Sequence, residues 1–167
     1  CTIKDVARIK HGQSQHSIVC DDGMYPILAS GGEIGRTNSY LYNKPSVLIG
    51  RKGSIDKPMY MSTPFWTVDT LFYSEILSNV DPLFVYYVFC TINWWKYNES
   101  TGVPSLSAKT IEEIPIFCPK LISEQIAISK ILQSADSEID GYIHEIEAWQ
   151  QKKKALMQLL LTGLVRV

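Results

Sequence analysis

The residues that usually announce chemistry are scarce in this chain. Its three histidines, His11, His16 and His144, stand far apart, and its four cysteines, Cys1, Cys20, Cys90 and Cys118, contain no C-x-x-C pair. Zinc therefore has no plausible ligand set and no metal is expected; the thiols read as free, in a reducing compartment. No apolar run approaches the roughly 18 residues of a membrane span, and no signal peptide opens the chain, so the expected location is cytoplasmic, with no membrane partner. The first residue is Cys1 rather than Met, which reads as a fragment or a processed chain. An excess of positive charge is also lacking: 16 Lys and Arg face 17 Asp and Glu, net −1. Within the first 120 residues eleven basic side chains meet eleven acidic ones. Strong binding to nucleic acid through overall charge is excluded, and only a local basic patch remains open.

Catalytic motifs are missing too. The stretch SGGEIG at Ser30–Gly35 lacks the first glycine of a dinucleotide loop, and strand-like residues follow it where a helix should start. GRKGS at Gly50–Ser54 has the wrong order and spacing for a phosphate-cradling Walker loop. DPLF at Asp81–Phe84 resembles the Asp-Pro-Pro-Phe motif of amino-methyltransferases, but the second proline and any cofactor loop are absent, and a helix start explains it better. Glu112 and Glu113 are adjacent on a helical turn and point apart. No catalytic residue and no cofactor are expected.

What is present divides into two textures. With 46% hydrophobic and 20% charged residues the chain can bury a sizeable core. Residues 1–120 are rich in Gly, Pro, Tyr and β-branched residues and predict short strands at Pro26–Leu28, Ser46–Ile49, Thr67–Val68 and Leu71–Tyr73, with Gly31, Gly32, Gly35, Gly50 and Gly53 as turns. Asp81 as N-cap and Pro82 at the first position predict a helix running through Leu83, Val85, Phe89 and Ile92 to Trp95, largely buried because it is apolar nearly all round. A shorter helical turn starts at Ser107 and carries Ile111; a strand is expected at Ile114–Phe117, closed by Pro119.

From Ser123 onward there is no Pro, and Gly141 is the one Gly before Gly163. Leu132, Ala135, Ile139, Tyr142, Ile146, Trp149, Lys153, Leu156 and Leu160 alternate spacings of three and four, a heptad seam with one polar position, and Ile128 extends it backward. The spacing predicts a helix from Ser123 to Thr162, about 60 Å long, stopped at Thr162-Gly163. A lone helix cannot bury its own seam, so a partner helix is expected from another chain or another part of a longer one. Folding back onto the first 120 residues is the alternative, and suits a 3.5-residue period less well.

Two polar loops stand out before the helix. Tyr25–Gly53 carries Arg36, Arg51 and Lys52 among Ser, Thr, Asn and Gly, a mixture that suits close approach to phosphates and bidentate reading of guanine. Tight turns and a solvated surface are the plainer reading of the same residues. Tyr97–Ser107 mixes Asn98, Ser100, Thr101, Gly102 and Ser105. The pair Trp94-Trp95 reads as core, with base stacking as the alternative.

These segments together resemble a known family. YPILASGGEIG at Tyr25–Gly35, PSVLIGRKGS at Pro45–Ser54, FWTVDTLF at Phe65–Phe72 and KYNESTGVPSLS at Lys96–Ser107 are similar, in order, to motifs of target-recognition domains in type I restriction-modification specificity subunits. Glu124-Gln125 with Ile128, Ile131 and Leu132 resembles the start of that family's long helix; Leu156–Gln158, Leu160–Gly163 and Arg166-Val167 resemble its end. Asp56 stands where the second motif is expected to have Gly, altering base preference or pairing with Lys57. The resemblance implies an α+β, strand-rich recognition domain (residues 1–120) followed by a long coiled-coil helix (121–167). It further implies a non-catalytic subunit that reads one half of a bipartite double-stranded DNA target. Its partners would be modification (methyltransferase) and restriction (motor and nuclease) subunits. Such subunits carry two recognition domains joined by two antiparallel helices; this chain has one of each, so it is either part of a longer subunit or a half-subunit that dimerises through its helix. The expected DNA contacts are Ser30, Gly31, Gly32, Arg36, Thr37, Asn38, Arg51, Lys52, Ser54, Lys57, Asn98, Ser100, Thr101 and Ser105, with Arg36 or Arg51 on a base edge. The expected coiled-coil interface is Ile128, Leu132, Ala135, Ile139, Tyr142, Ile146, Trp149, Leu156 and Leu160. The competing readings are a coiled-coil interaction protein that does not bind DNA and a methyltransferase whose catalytic motifs lie outside these residues.

Overall fold

Val47, Leu48 and Ile49 are consecutive apolar residues with no alternation, a pattern that requires a strand covered on both faces. A computed structural model, which describes residues 1–166, shows that arrangement. Strand β4 (Ser46–Gly50) is buried along its whole length. It lies inside a four-stranded antiparallel sheet ordered β1 (Ala7–His11), β7 (Leu71–Ile76), β4, β5 (Met59–Met61). Because side chains alternate, Val47 and Ile49 with Phe72 join one apolar cluster, while Leu48 with Leu71 and Tyr73 join another. The first cluster takes in Val85, Phe89, Trp94 and Ile111 from the helical segments. The second takes in Leu28, which belongs to a smaller sheet ordered β3 (Gly32–Thr37), β2 (Tyr25–Ala29), β6 (Trp66–Thr67). There β2 and β3 form an antiparallel hairpin and β2 pairs parallel with β6. Two buried serines bind β4 to β7 beyond the regular ladder: Ser46 Oγ donates to the Ser74 carbonyl at 2.7 Å, and Ser74 Oγ donates to the Val47 carbonyl at 2.7 Å.

Helix α1 (Pro82–Thr91) begins as expected, with the Asp81 carboxylate accepting from Phe84 N–H at 3.0 Å. It stops earlier than expected. Ile92 is extended, and a one-turn 3-10 segment at Trp94–Tyr97 follows. Trp94 turns back into the core against Phe89, and its indole N–H donates at 3.0 Å to the Phe89 carbonyl, which also accepts from Ile92 N–H at the helix end. Only half of the tandem pair is therefore core: Trp94 is buried, whereas Trp95 is 53% exposed. Helix α2 (Ala108–Glu112) starts at Ser107, whose hydroxyl accepts from Thr110 N–H, and it buries Ile111. The expected strand at Ile114–Phe117 is not one. The segment makes a single bridge, Pro115 to Thr2, because the facing chain turns into a 3-10 segment at Ile3–Asp5. Gly35, expected in a turn, pairs with Ile27 inside β3.

Helix α3 runs Ile122–Leu161. It ends with Gly163 N–H bonded to the Leu160 carbonyl and Val165 N–H to that of Leu159. Val167, the last residue of the expected helical segment, lies outside the described residues. The chain forms two compact units, Cys1–Ser129 and the residues from Lys130 onward. Within the first, Gln125 is a buried polar side chain with every reason to be there. Its Oε1 accepts from Asp81 N–H at 2.9 Å and its Nε2 donates to the Pro119 carbonyl at 2.8 Å. Ser129 Oγ donates to the same Asp81 carboxylate that caps α1. Replacing Gln125 by Leu strands both backbone partners, and each buried unpaired group costs about 1–3 kcal/mol. Urea unfolding of Gln125→Leu should show a lower midpoint with an unchanged slope; an unchanged midpoint would mean that water replaces the lost partners.

Candidate nucleic-acid interface

Three segments distant in sequence meet beyond the end of β4. Gly50 closes the strand and admits the chain so closely that a Cβ there would sit 2.0 Å from the Ser54 carbonyl oxygen. Gly53 follows at φ +85°, a conformation that a side chain would resist. This tight return lets Gly53 N–H donate to the Pro104 carbonyl at 2.9 Å and Leu106 N–H donate to the Arg51 carbonyl at 2.9 Å. Lys52 and Ser105 form a bridge between them. Ser30, at the tip of the β2–β3 hairpin, brings its hydroxyl within 3.3 Å of where a Gly53 Cβ would lie. The loops after β2, after β4 and after the 3-10 turn are thus one surface.

That surface is modestly basic. Lys52 and Lys57 are exposed. Arg51 is partly covered and donates to the Asp69 carboxylate at 2.5 Å. An open groove of about 440 Å³ beside them is lined by His11, Arg51, Lys52, Glu99, Ser105 and Lys109, among others. Gly31 and Thr101 are exposed, and Gly32, Ser54, Ser100 and Ser105 are half-buried at these loops, whereas exposed Asn38 stands at the opposite end of the β2–β3 hairpin.

Other expected contacts are already occupied. Arg36 donates Nε to the Gly23 carbonyl at 2.8 Å and a terminal nitrogen to the Met24 carbonyl at 3.1 Å, and pairs with Glu33 at 3.3 Å. Its guanidinium, still exposed, staples the Cys20–Met24 turn to β3 at the end of the hairpin away from Ser30. Thr37 is fully buried, its hydroxyl accepting from Ser39 N–H, and has no surface to present. Asn98 organises its own loop: its carbonyl oxygen accepts from Ser100 and Ser105 N–H, and its amide donates to the Ser100 carbonyl. Asn38 accepts from Met24 N–H at 3.2 Å.

The structure adds residues that the sequence reading passed over. Glu99 accepts from the hydroxyls of Ser107, at 2.8 Å, and Thr110. Asp56, expected either to alter base preference or to pair with Lys57, accepts from the indole N–H of exposed Trp95 at 3.1 Å. A Trp two residues before a glycine- and serine-rich loop was the available signal for that second pair.

From Lys130 onward the expected seam is apolar and uncovered by the chain itself. Leu132, Ala135, Ile139, Ile146, Leu156 and Leu160 are exposed, with Tyr142 at 65% and Trp149 at 59%. Ile128, in the first unit, is half-buried. Near the helix end an apolar groove of about 320 Å³ is lined by Trp149, Leu156, Met157, Leu160 and Leu161 together with the stems of Lys152 and Lys153. Among the described residues no helix is long and apolar enough to cross a membrane, and no three His, Cys, Asp or Glu cluster as a metal site.

Comparison with known proteins gives this arrangement its family. The model of the type I restriction modification DNA specificity domain matches residues 1–148. The chain belongs to that family. An S subunit of a type I restriction-modification system from M. genitalium is 18% identical and superposes with a TM-score of 0.75 over 95% of this chain and 44% of its own. A chain solved for the structural basis of complex assembly and conformational transition of the type I R-M system is 15% identical, with a TM-score of 0.75 over 94% of this chain and 43% of its own. The HsdS subunit from Thermoanaerobacter tengcongensis is 13% identical, with a TM-score of 0.65 over 84% and 38%. These specificity subunits share the fold: two sheets and a long C-terminal helix. This chain spans less than half the length of each.

The Thr110 and Ser107 hydroxyls hold the Glu99 carboxyl below its ordinary value of 4.5. A carboxylate lowered on folding stabilises the protein above the unfolded value, and that contribution is lost as pH falls through the folded one. Glu99→Gln should therefore flatten the acid limb of stability below about pH 4.5, measured by thermal melting across pH. An acid limb identical to that of the parent would assign the titration to other carboxylates.

Proposed function

We propose that this chain is the sequence-specific DNA recognition part of a cytoplasmic type I restriction-modification system. Its first 120 residues read one half of a bipartite double-stranded target. The long helix, with residues 121–167, joins this half to a second recognition half, contributed by another copy or by a further part of a longer subunit. Modification and restriction subunits assemble on it and are positioned by it. Recognition is its contribution, and the chemistry belongs to the partners.

The observation that carries this reading is the single surface made by the loops at Ser30–Gly32, Arg51–Lys57 and Tyr97–Ser105, in a chain of the specificity-domain family. Backbone N–H groups and Lys52 and Lys57 suit phosphates, and Ser54, Ser100 and Thr101 offer short polar contacts. Arg51 is the base-edge candidate because it lies on this surface, where a base would have to displace its Asp69 partner, whereas Arg36 stands at the other end of the β2–β3 hairpin. The equal charge count of the head implies that partners supply much of the affinity. The assembly described for one of the similar structures supports that assignment.

The uncovered seam supports helix pairing, since each large apolar side chain left in water forgoes about 1.5–3 kcal/mol of burial. It is also the observation that would favour an interaction protein without DNA binding. Gel shifts with random and selected duplexes separate the two readings. Alone, the chain should bind DNA weakly and with steep loss in salt; with modification subunits it should select a defined sequence. Tight, salt-insensitive binding by the chain alone would contradict the reading, as would no selection in the complex.

Two variants test the assignment of individual residues. Arg51→Ala should cost about 1–3 kcal/mol in selective binding and relax one target position. Arg36→Ala should lower the melting temperature and leave target preference intact, because its bonds are internal. For the helix, Ile146→Asp should abolish self-association or pairing, read by sedimentation; pairing of unchanged strength would place the interface elsewhere.

A further inference from the structure

We propose that Asp56 and Trp95 form a base-discriminating pair at the rim of the three-loop surface, the Asp56 carboxylate accepting from the exocyclic amino group of a cytosine in the major groove. The inference rests on the DNA-reading proposal above and specifies one contact within it.

Trp95 is an unusual residue to leave in water. Its neighbour Trp94 is 1% exposed, while Trp95 is 53% exposed, although both belong to one 3-10 turn. An exposed Trp normally keeps its polar edge hydrated. Here the indole N–H reaches across the loop surface to Asp56 at 3.1 Å, a contact between residues 39 apart in sequence. Asp56 is itself exposed and lies three residues beyond Gly53, whose N–H makes the central bond between the loops. Among the described residues Asp56 makes no ion pair, with adjacent Lys57 or any other cation. The carboxylate is therefore held through one oxygen, Oδ2, at an exposed position on the loop surface.

A charged acceptor so placed faces a polyanion, and phosphates repel it. It becomes favourable only against a donor. In the major groove the donors are the amino groups of cytosine and adenine; guanine and thymine present acceptors at the corresponding positions. Adenine sets its N7 acceptor beside its amino group, which a carboxylate also repels, whereas cytosine offers the amino group with no such neighbour on the same base. Asp56 thus selects for cytosine by attraction and against the other bases by repulsion, and Trp95 fixes the carboxylate for both. The exposed lysines on the same loops, Lys52 and Lys57, hold the phosphates that this charge would otherwise push away.

The test is selection from a pool of randomised duplexes by the whole chain assembled with its modification subunits, for the parent, Asp56→Asn, Asp56→Ala and Trp95→Phe. Asn exchanges a charged acceptor for a donor–acceptor pair suited to adenine, so Asp56→Asn should move one position from cytosine towards adenine by about tenfold or more. Asp56→Ala should relax that position and raise binding to non-target duplex. Trp95→Phe keeps the ring and loses the N–H, and should weaken discrimination at the same position alone. If the parent selects a motif and all variants select the same one, the pair does not read bases, while the proposed function stands. Loss of preference at every position would make the pair structural and overturn the inference. A parent that selects nothing overturns the proposed function and this contact with it.

Discussion

Two backbone hydrogen bonds, Gly53 N–H to Pro104 and Leu106 N–H to Arg51, hold together everything proposed for this molecule. They join a loop between two strands to a loop that follows a helix, and neither loop has a regular ladder to stiffen it. They set Lys52 beside Ser105, and the Trp95–Asp56 contact adds a third link between the same two loops. Their existence depends on Gly50 and Gly53, one allowing a close approach and the other a left-handed turn. Recognition of a nucleic acid needs contacts fixed relative to one another, and here the backbone does the fixing.

The rest of the head supports that junction. β4 delivers Arg51 from a strand buried on both faces and bound to β7 by the reciprocal Ser46 and Ser74 bonds. On the far side, Trp94 and Phe89 anchor the 3-10 turn from which the second loop departs. Rigid core on two sides leaves polar side chains at the loops free for a ligand. The residues from Lys130 onward follow a different logic: their apolar positions find no cover in the chain and are suited to another helix.

Much of this was legible in the residues. The apolar run of β4, the Asp81-Pro82 helix start, the Ser107 cap and the heptad spacing of α3 are local signals, and the structure follows them. The misses share a cause. Trp95 and Trp94 are identical as residues; which of them turns inward is decided by Phe89, whose carbonyl takes the Trp94 indole. The internal bonds of Arg36 were likewise invisible in sequence, because the Cys20–Met24 turn that accepts them comes more than ten residues earlier in the chain. Ile114–Phe117 has strand composition, yet its partner beside Thr2 coils at once into the 3-10 turn Ile3–Asp5, so the pairing stops at one bridge. Strand β1 does carry a period-2 signal, Ala7 and Ile9 buried between exposed Arg8 and Lys10, but over too few residues to stand out, whereas Met59–Met61 has no alternation and owes its pairing to β4.

The most direct measurement of the central claim is amide hydrogen exchange on the assembled complex, with and without its selected duplex. Slowed exchange should appear together at residues 30–32, 51–57 and 97–105, with no change around Arg8 and Lys44 in the groove they share with Glu75. Protection limited to one of the three segments, or found around Arg8 and Lys44 instead, would contradict a single reading surface.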